Sequence, residues 1–316
     1  MAGPPRTLVL GVGAIGGLVA ARLTSANWPT VGVVRGETLA ALRRWPLRIV
    51  EEGGERAVSV SVVGSPADAP WPVELALVCV RSDATEVAAR ALAPSLAPGA
   101  VVLSMQNGVD NVDLLARLLP DATVGGVAMY LGAERRARDL IVRRRGPARF
   151  AGGPPGPAGD ALEAVGVAVG ARAEVGDLAL ALWTKLIANA SLNTVTALMR
   201  SRVGPIYADP AAVTLLNALA GETEAVARAL GVPLPAGSGA AYVADAGRRL
   251  PPEAGTTTLL DVEAGRTLER DALLGAVVRE GRRLGVPVPA SRACDALLQR
   301  LDPGLDGAPS PYPVPE

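Results

Sequence analysis

The segment that most restricts how this chain can fold is an apolar run ending on glycines, Thr7-Leu-Val-Leu-Gly11-Val-Gly13-Ala-Ile-Gly16-Gly17, with helical composition over residues 18–25. A glycine fingerprint alone is weak evidence. Here an apolar strand runs into it and a helix leaves it, which is the context of a dinucleotide site. Gly11 permits the tight turn, and Gly13 lets the backbone approach a pyrophosphate. Gly16 lets the helix close on the sheet while its N-terminal amides face the phosphates. Val12, Ala14 and Ile15 complete the loop and are assigned to the same cofactor-binding segment. The competing reading is a plain glycine-rich turn in a glycine-rich chain.

A second strand, 30–34, ends in Arg35, nineteen residues past Gly16. An acidic residue there would bind the adenine ribose hydroxyls of NAD, whereas an arginine pairs with the extra 2′-phosphate of NADP. The expected cofactor is therefore NADP(H). Glu37, two residues on, is the signal for NAD, and a surface arginine without a ligand is the other alternative.

Residues 47–63 read as a β-hairpin turning at Gly53-Gly54, and 73–80 as a buried strand ending at Arg81-Ser82-Asp83. The strand 100–103 ends in Ser104-Met-Gln106-Asn107-Gly108. Ligands of a doubly wound sheet bind beyond the carboxyl ends of its strands, so Gln106 and Asn107 are expected where a nicotinamide or substrate would sit. The alternative is an ordinary polar turn. Further strands are expected at 124–131, 140–144, 148–151 and 172–175, with a Pro/Gly-rich loop at 152–159 and a helix at 160–170. From Asp177 the period is helical throughout: 178–199, 211–230, 239–250, 270–284 and 290–301. The expected fold is α/β, with an N-terminal Rossmann-type doubly wound sheet over 1–176 and an all-helical substrate or catalytic domain over 177–302. A Pro-rich mobile tail is expected at 303–316.

Composition narrows the chemistry. The 316 residues, 49% hydrophobic, suffice for two domains. Formal charge is zero, so nucleic acid is not expected as a partner, and the Arg143-Arg144-Arg145 run reads as a solvated strand end or loop. No apolar run is long enough for a membrane span, which points to a cytoplasmic protein. Cys79 and Cys294 form no metal or redox motif and are expected as buried thiols. Histidine is absent, which removes every imidazole mechanism and the commonest zinc ligand; no metal is expected.

The basic residues number 31, and Lys185 is the only lysine. Arginine cannot lose a proton near neutral pH, so a surviving lysine is a candidate for proton transfer. Asn189 and Asn193 follow it at steps of four. On a helix each such step drifts by about 40°, so the ammonium and both amides share one face. No tyrosine precedes Lys185 at the four-residue spacing of a Tyr/Lys pair, which leaves Lys185 as the leading proton donor. The competing reading is a stripe that only caps or bridges helices.

Taken together, these pieces resemble ketopantoate reductases (2-dehydropantoate 2-reductases) over most of the chain. The matching segments are the Gly11–Gly17 loop with Arg35, the Ser104–Gly108 turn, and Trp183-Thr-Lys-Leu-Ile-Ala-Asn-Ala-Ser-Leu-Asn-Thr-Val-Thr-Ala-Leu198. Thr257-Thr-Leu-Leu-Asp-Val-Glu-Ala-Gly265, Leu268-Glu269-Arg270-Asp271, and Gly275-Ala-Val-Val-Arg-Glu-Gly281 with Gly285-Val-Pro-Val-Pro289 match as well. The resemblance implies that Lys185 protonates the ketone oxygen while NADPH delivers hydride to the same carbon. It assigns Asn189 and Asn193 to the substrate's oxygens, Asn107 to cofactor and substrate, and Thr257 to the substrate carboxylate. Glu269 and Arg81 are implied at the cofactor, Arg81 near its phosphates. The implied ligand is a small 2-oxo acid, and the implied setting is pantothenate and coenzyme A biosynthesis; monomer and homodimer stay open. Two positions depart from the family pattern: Asn193 is followed by Thr194 rather than proline, and Val203 stands where some members have a polar contact.

Physically, hydride attack builds negative charge on the ketone oxygen, and an ammonium about 3 Å away can donate a proton as it appears. Partial burial would lower the lysine pKa, and a carboxylate such as Glu269 would raise it again. Two other readings compete: an NADP-dependent reductase of another 2-oxo acid or an imine, and a non-catalytic NADP(H) sensor.

Overall fold

The computed structural model describes residues 3–135, 141–153 and 155–303, so the expected tail lies outside the described residues from 304 onward. The chain divides into two compact units, Met1–Ala181 and Leu182–Glu316. In chain order the first contains β1 (Thr7–Leu10), α1 (Ala14–Ser25), β2 (Thr30–Val33), α2 (Gly36–Arg44), β3 (Leu47–Glu51), β4 (Gly54–Val58), β5 (Ser61–Val63) and β6 (Val73–Val78). There follow α3 (Thr85–Leu92), β7 (Leu96–Ser104), α4 (Asn111–Leu118), β8 (Thr123–Gly126), β9 (Ala128–Arg135), β10 (Ile141–Ala151), α5 (Pro157–Val169) and β11 (Ala171–Glu174).

Six strands form a parallel sheet in the order β5-β2-β1-β6-β7-β8. Alternation along the strands explains why it is covered on both sides. Leu8, Leu10, Ala76, Val78 and Val102 pack with Ala88, Leu92 and Leu115 of α3 and α4. Val9, Leu75, Leu77 and Leu103 pack with residues of α1 and α5. Strands buried on both faces need helices on both faces, and this is the Rossmann-type arrangement read from the sequence.

A second sheet was not foreseen. It runs β11-β10-β3-β4, with β9 antiparallel on β10. Its Leu47, Ile49, Val142 and Phe150 belong to the same core as Leu18, Val19, Leu162 and Val165, so α1 and α5 lie between two sheets. Three sequence assignments change with it. The hairpin closes at the pair Glu51 and Gly54 and ends at Val58, because β5 leaves to pair in parallel with β2. The span 124–131 is two strands in different sheets, parted at Val127. The spans 140–144 and 148–151 are one strand with a register shift between Arg145 and Arg149, so the arginine run lies inside β10 rather than at a strand end or loop. Gly146-Pro147 sits in that shift, where a missing amide donor is tolerated. The helix read at 160–170 begins earlier, with Pro157 in its first turn.

The second unit is helical. α6 (Leu178–Leu198) leads into it, followed by α7 (Val203–Ala208), α8 (Pro210–Ala229), α9 (Ser238–Arg249), α10 (Thr257–Glu263), α11 (Leu274–Leu284) and α12 (Pro289–Leu301). The expected helical start at 270 is instead a short 3-10 turn, Arg270–Ala272, ahead of α11. Two mid-helix acids of α8 cap its neighbours: Glu222 accepts from the Ala290 and Ser291 amides, and Glu224 from those of Gly237 and Gly239. These carboxylates satisfy donors that a helix start otherwise leaves bare. None of the described helices is long and apolar enough to cross a membrane.

The tightest constraint is at Gly16, where an added Cβ would stand 1.9 Å from the Gly11 carbonyl oxygen. At Gly13 it would meet nothing within 4 Å. Gly16→Ala should therefore lose roughly 3 kcal/mol in urea denaturation, and Gly13→Ala should remain close to the parent. Equal stability of the two variants would refute the close helix-to-loop contact.

Candidate active site

The first cluster of candidate residues lies at the carboxyl ends of β1, β2, β6 and β7. Gly11 has φ +98°, in the left-handed region, and its Cβ position would meet Val80 N at 3.0 Å and Cys79 C at 3.1 Å. The glycine loop is thus pressed against the turn that follows β6. Gly13 is the N-cap of α1 and offers no side-chain cap, so the first-turn amides at Ala14 and Ile15 keep their polarity for a ligand. Open space where a Cβ at Gly13 would stand, beside bare helix amides, fits a pyrophosphate. Arg35 is exposed at the N-cap position of α2, with Glu37 in that helix's first turn. Arg81 opens the Ser82–Ala84 turn and pairs with Asp83 at 3.6 Å. Cys79 is a free thiol that burial pushes up to about 12, so it stays protonated and unreactive.

After β7 the two amides of the Gln106-Asn107 pair diverge. Gln106 is only 6% exposed, and its Nε2 donates to Thr85 Oγ1 at 2.7 Å and to Val80 O at 3.0 Å. Ser104 Oγ donates to its Oε1 at 3.1 Å. Gln106 is therefore scaffold, and the expectation that it sits at a ligand is corrected: its amide is spent tying the β7 turn to the β6 turn. Asn107 is half-buried. Its backbone carbonyl accepts from Asn111 Nδ2 at 2.7 Å and Ser82 Oγ at 3.0 Å, which fixes the direction from which its side chain leaves. Thr85 completes the network by donating to Asn111 Oδ1 at 3.0 Å.

The second cluster lies on α6 and the segments packed against it. Leu186, Ile187, Ala190 and Leu192 are buried, which makes Lys185, Asn189 and Asn193 a polar stripe on an apolar helix. Asn193 Nδ2 donates to Thr257 Oγ1 at 3.2 Å, and Thr257 is the first residue of α10. One residue earlier, Thr256 caps α10 by accepting from Leu259 N at 3.3 Å, and its hydroxyl bonds that of Thr196 at 2.7 Å. The Thr256-Thr257-Thr258 run thus divides its work: Thr256 caps, Thr258 is buried, and Thr257 is exposed beside Asn193. Asn189 is half-buried, and its side chain makes no hydrogen bond among the described residues. Thr194 and Val203 are both buried, Val203 at the first position of α7.

Burial lowers the Lys185 ammonium to about 8, and the Glu269 carboxylate acts against that shift by favouring the charged form. Glu269 enters the 3-10 turn whose next residue, Arg270, sends Nη1 to both carboxylate oxygens of Asp295 at 2.7 Å. Asp295 is fully buried, and Arg270 also pairs with Asp271 at 2.9 Å. This buried fork fixes the turn that carries Glu269. No spacing rule in the sequence joins Arg270 to Asp295, so that support was missed.

Known proteins resemble this chain along most of its length. The family described as "Ketopantoate reductase PanE/ApbA" matches residues 7–155, and its "C terminal" counterpart matches 177–302. A 2-dehydropantoate 2-reductase of Archaeoglobus fulgidus is 30% identical over 305 residues, covering 95% of this chain and 99% of its own. The crystal structure of a PanE/ApbA family ketopantoate reductase from Ralstonia eutropha has 31% identity and a TM-score of 0.84, covering 93% of this chain and 98% of its own. A ternary structure of D-mandelate dehydrogenase with NADH and anilino(oxo)acetate has a TM-score of 0.85 at 16% identity, covering 95% and 99%. That last likeness concerns the fold alone.

Because the chain has one lysine, protein labelled with ¹³C at lysine Cε should give a single side-chain resonance. It should titrate near 8, and Glu269→Gln should move the midpoint to lower pH, since the removed carboxylate favours the ammonium. A midpoint at the ordinary 10.5 would refute the buried setting of Lys185.

Proposed function

The chain belongs to the ketopantoate reductase family, and on that premise we propose that it reduces 2-dehydropantoate to pantoate with NADPH, using Lys185 as the proton donor. The observation that carries the reading is the α6 stripe: an ammonium lowered to about 8 by burial, steadied by Glu269, on one helix face with Asn189 and Asn193. A lysine near that value is still largely charged at neutral pH and gives up its proton more readily than an exposed one. The nicotinamide cofactor, when bound, supplies the hydride to the carbonyl carbon. Lys185 donates a proton to the oxygen as negative charge develops there. Amides aimed at that oxygen hold it without reorganising, a role assigned to Asn189 and Asn193. Thr257, fixed by its bond to Asn193, is assigned to the substrate carboxylate. On the first unit, the amides from Gly11 to Gly16 and Arg81 are assigned to the pyrophosphate, Arg35 to the 2′-phosphate, and Asn107 to the nicotinamide end. The cofactor part is read as 1–176 and the substrate part as 177–302.

Val203 supports a second reading. It is 1% exposed and apolar, so it can offer no hydrogen bond to a substrate hydroxyl. A site that does not pair that hydroxyl discriminates weakly among 2-oxo acids. Comparing kcat/KM for 2-dehydropantoate against 2-oxo acids lacking the hydroxyl separates the two readings. Turnover of any of them excludes a non-catalytic sensor.

Lys185→Arg keeps the charge and removes usable proton transfer. Its kcat should fall roughly 10²- to 10⁴-fold with NADPH affinity intact, and a value within about threefold of the parent would leave Lys185 as a charge clamp only. In the parent enzyme, the rate of reduction should decline as pH rises through about 8, because the donor must be protonated.

Arg35→Ala should weaken NADPH roughly ten- to a hundredfold and leave NADH nearly unchanged. If titration shows the unmodified protein binding both equally, the NADP assignment is wrong.

A further inference from the structure

β9 belongs to the second sheet, yet its last residue reaches the glycine loop of the first. Arg135 Nη1 donates to the Val12 carbonyl at 2.6 Å, and Nη2 donates to Thr38 Oγ1 at 3.3 Å. These partners are 123 and 97 residues away in sequence. The guanidinium therefore bridges the loop before α1 to the first turn of α2. Arg35 stands at the N-cap of that same α2, three positions before Thr38. The Arg135 guanidinium and the Thr38 hydroxyl thus meet at the helix start whose N-cap residue is Arg35, beside the loop that fits a pyrophosphate.

We propose that Arg135 is a second cation for the phosphate on the cofactor's adenosine ribose, acting with Arg35 to select NADP(H) over NAD(H). This rests on the reading of Arg35 given above. A tether between Val12 and Thr38 needs only a neutral donor. A guanidinium supplies more, because its planar fork matches phosphate geometry and its charge is permanent. Its bonds to Val12 and Thr38 already hold it in place, so less side-chain freedom is lost when an anion arrives. Thr38 has the same double use, as acceptor for Arg135 and as a hydroxyl at the helix start. The arrangement explains how one exposed arginine, with Glu37 nearby, can be enough for 2′-phosphate recognition: a second, anchored cation offsets the acid.

The test is fluorescence titration of NADPH and NADH against the parent, Arg135→Gln and Arg135→Ala. Glutamine can still donate to the Val12 carbonyl but has no charge, so it separates the tether from the cation. Arg135→Gln should raise the Kd of NADPH roughly tenfold and leave that of NADH within about twofold. If Gln is parent-like for both cofactors while Ala weakens both in parallel, Arg135 is a loop tether and the proposal is overturned. Unchanged affinities in both variants overturn it as well. A parent that binds NADH as tightly as NADPH overturns the Arg35 reading, and this proposal with it. A parent that prefers NADPH while Arg135→Gln keeps the preference overturns this proposal alone. Urea denaturation of Arg135→Gln accompanies the titration, and a parent-like midpoint ties any selective loss of NADPH to the removed charge.

Discussion

The close approach of α1 to the loop that precedes it is the constraint on which the first unit depends. A helix can begin 1.9 Å, in Cβ terms, from the Gly11 carbonyl only if Gly16 carries no side chain. That contact aims the amides at the start of α1 into open space and brings the body of the helix down between the sheets. Gly17 shows the other half of the bargain: a Cβ there would lie 3.3 Å from Leu47 and 3.4 Å from Val142, both in the second sheet. α1 is therefore clamped on two sides, and almost all of its residues from Gly16 to Leu23 are buried. A helix start placed this way is positioned before any ligand arrives.

The second unit solves a different problem, which is how to keep a polar stripe on an otherwise buried helix. Burying an ammonium is unfavourable unless a carboxylate and other polar groups attend it. Glu269 serves Lys185, and Glu269 is placed by a turn whose neighbour Arg270 is locked on buried Asp295. Asn193 is braced by Thr257, and one turn further along α6 the Thr196 hydroxyl ties to the cap of α10. Lys185 and Asn193 are thus each attended by a neighbouring side chain, whereas Asn189 makes no side-chain hydrogen bond among the described residues.

What could be read in advance follows the range of the physics. Gly11, Gly13 and Gly16 are legible because their task is local, and so is the Lys185 stripe, because a helix repeats every few residues. The second sheet was not legible, since β10 pairs with β3 some ninety residues earlier and is interrupted by Gly146-Pro147. α7 and α10 are too short for an apolar period to emerge, and α10 is announced only by its threonine cap. Gln106 and Asn107 look equivalent in sequence, yet adjacent residues at a strand end point to opposite sides and only one is turned inward. Arg135 gave no signal, because nothing local ties a strand end to a loop so far upstream.

The arginine-for-lysine habit of this chain has a chemical consequence. Amine-directed electrophiles, such as acyl phosphates, thioesters and pyridoxal-type aldehydes, react with neutral amines and pass over guanidinium groups. On most proteins they are absorbed by a coat of surface lysines. Here the only side-chain amine is Lys185, and its lowered pKa makes a larger share of it neutral than on an ordinary lysine. The surface carries no lysine decoy, so among side chains acylating stress on this protein falls on the one amine for which the fold has arranged a partner.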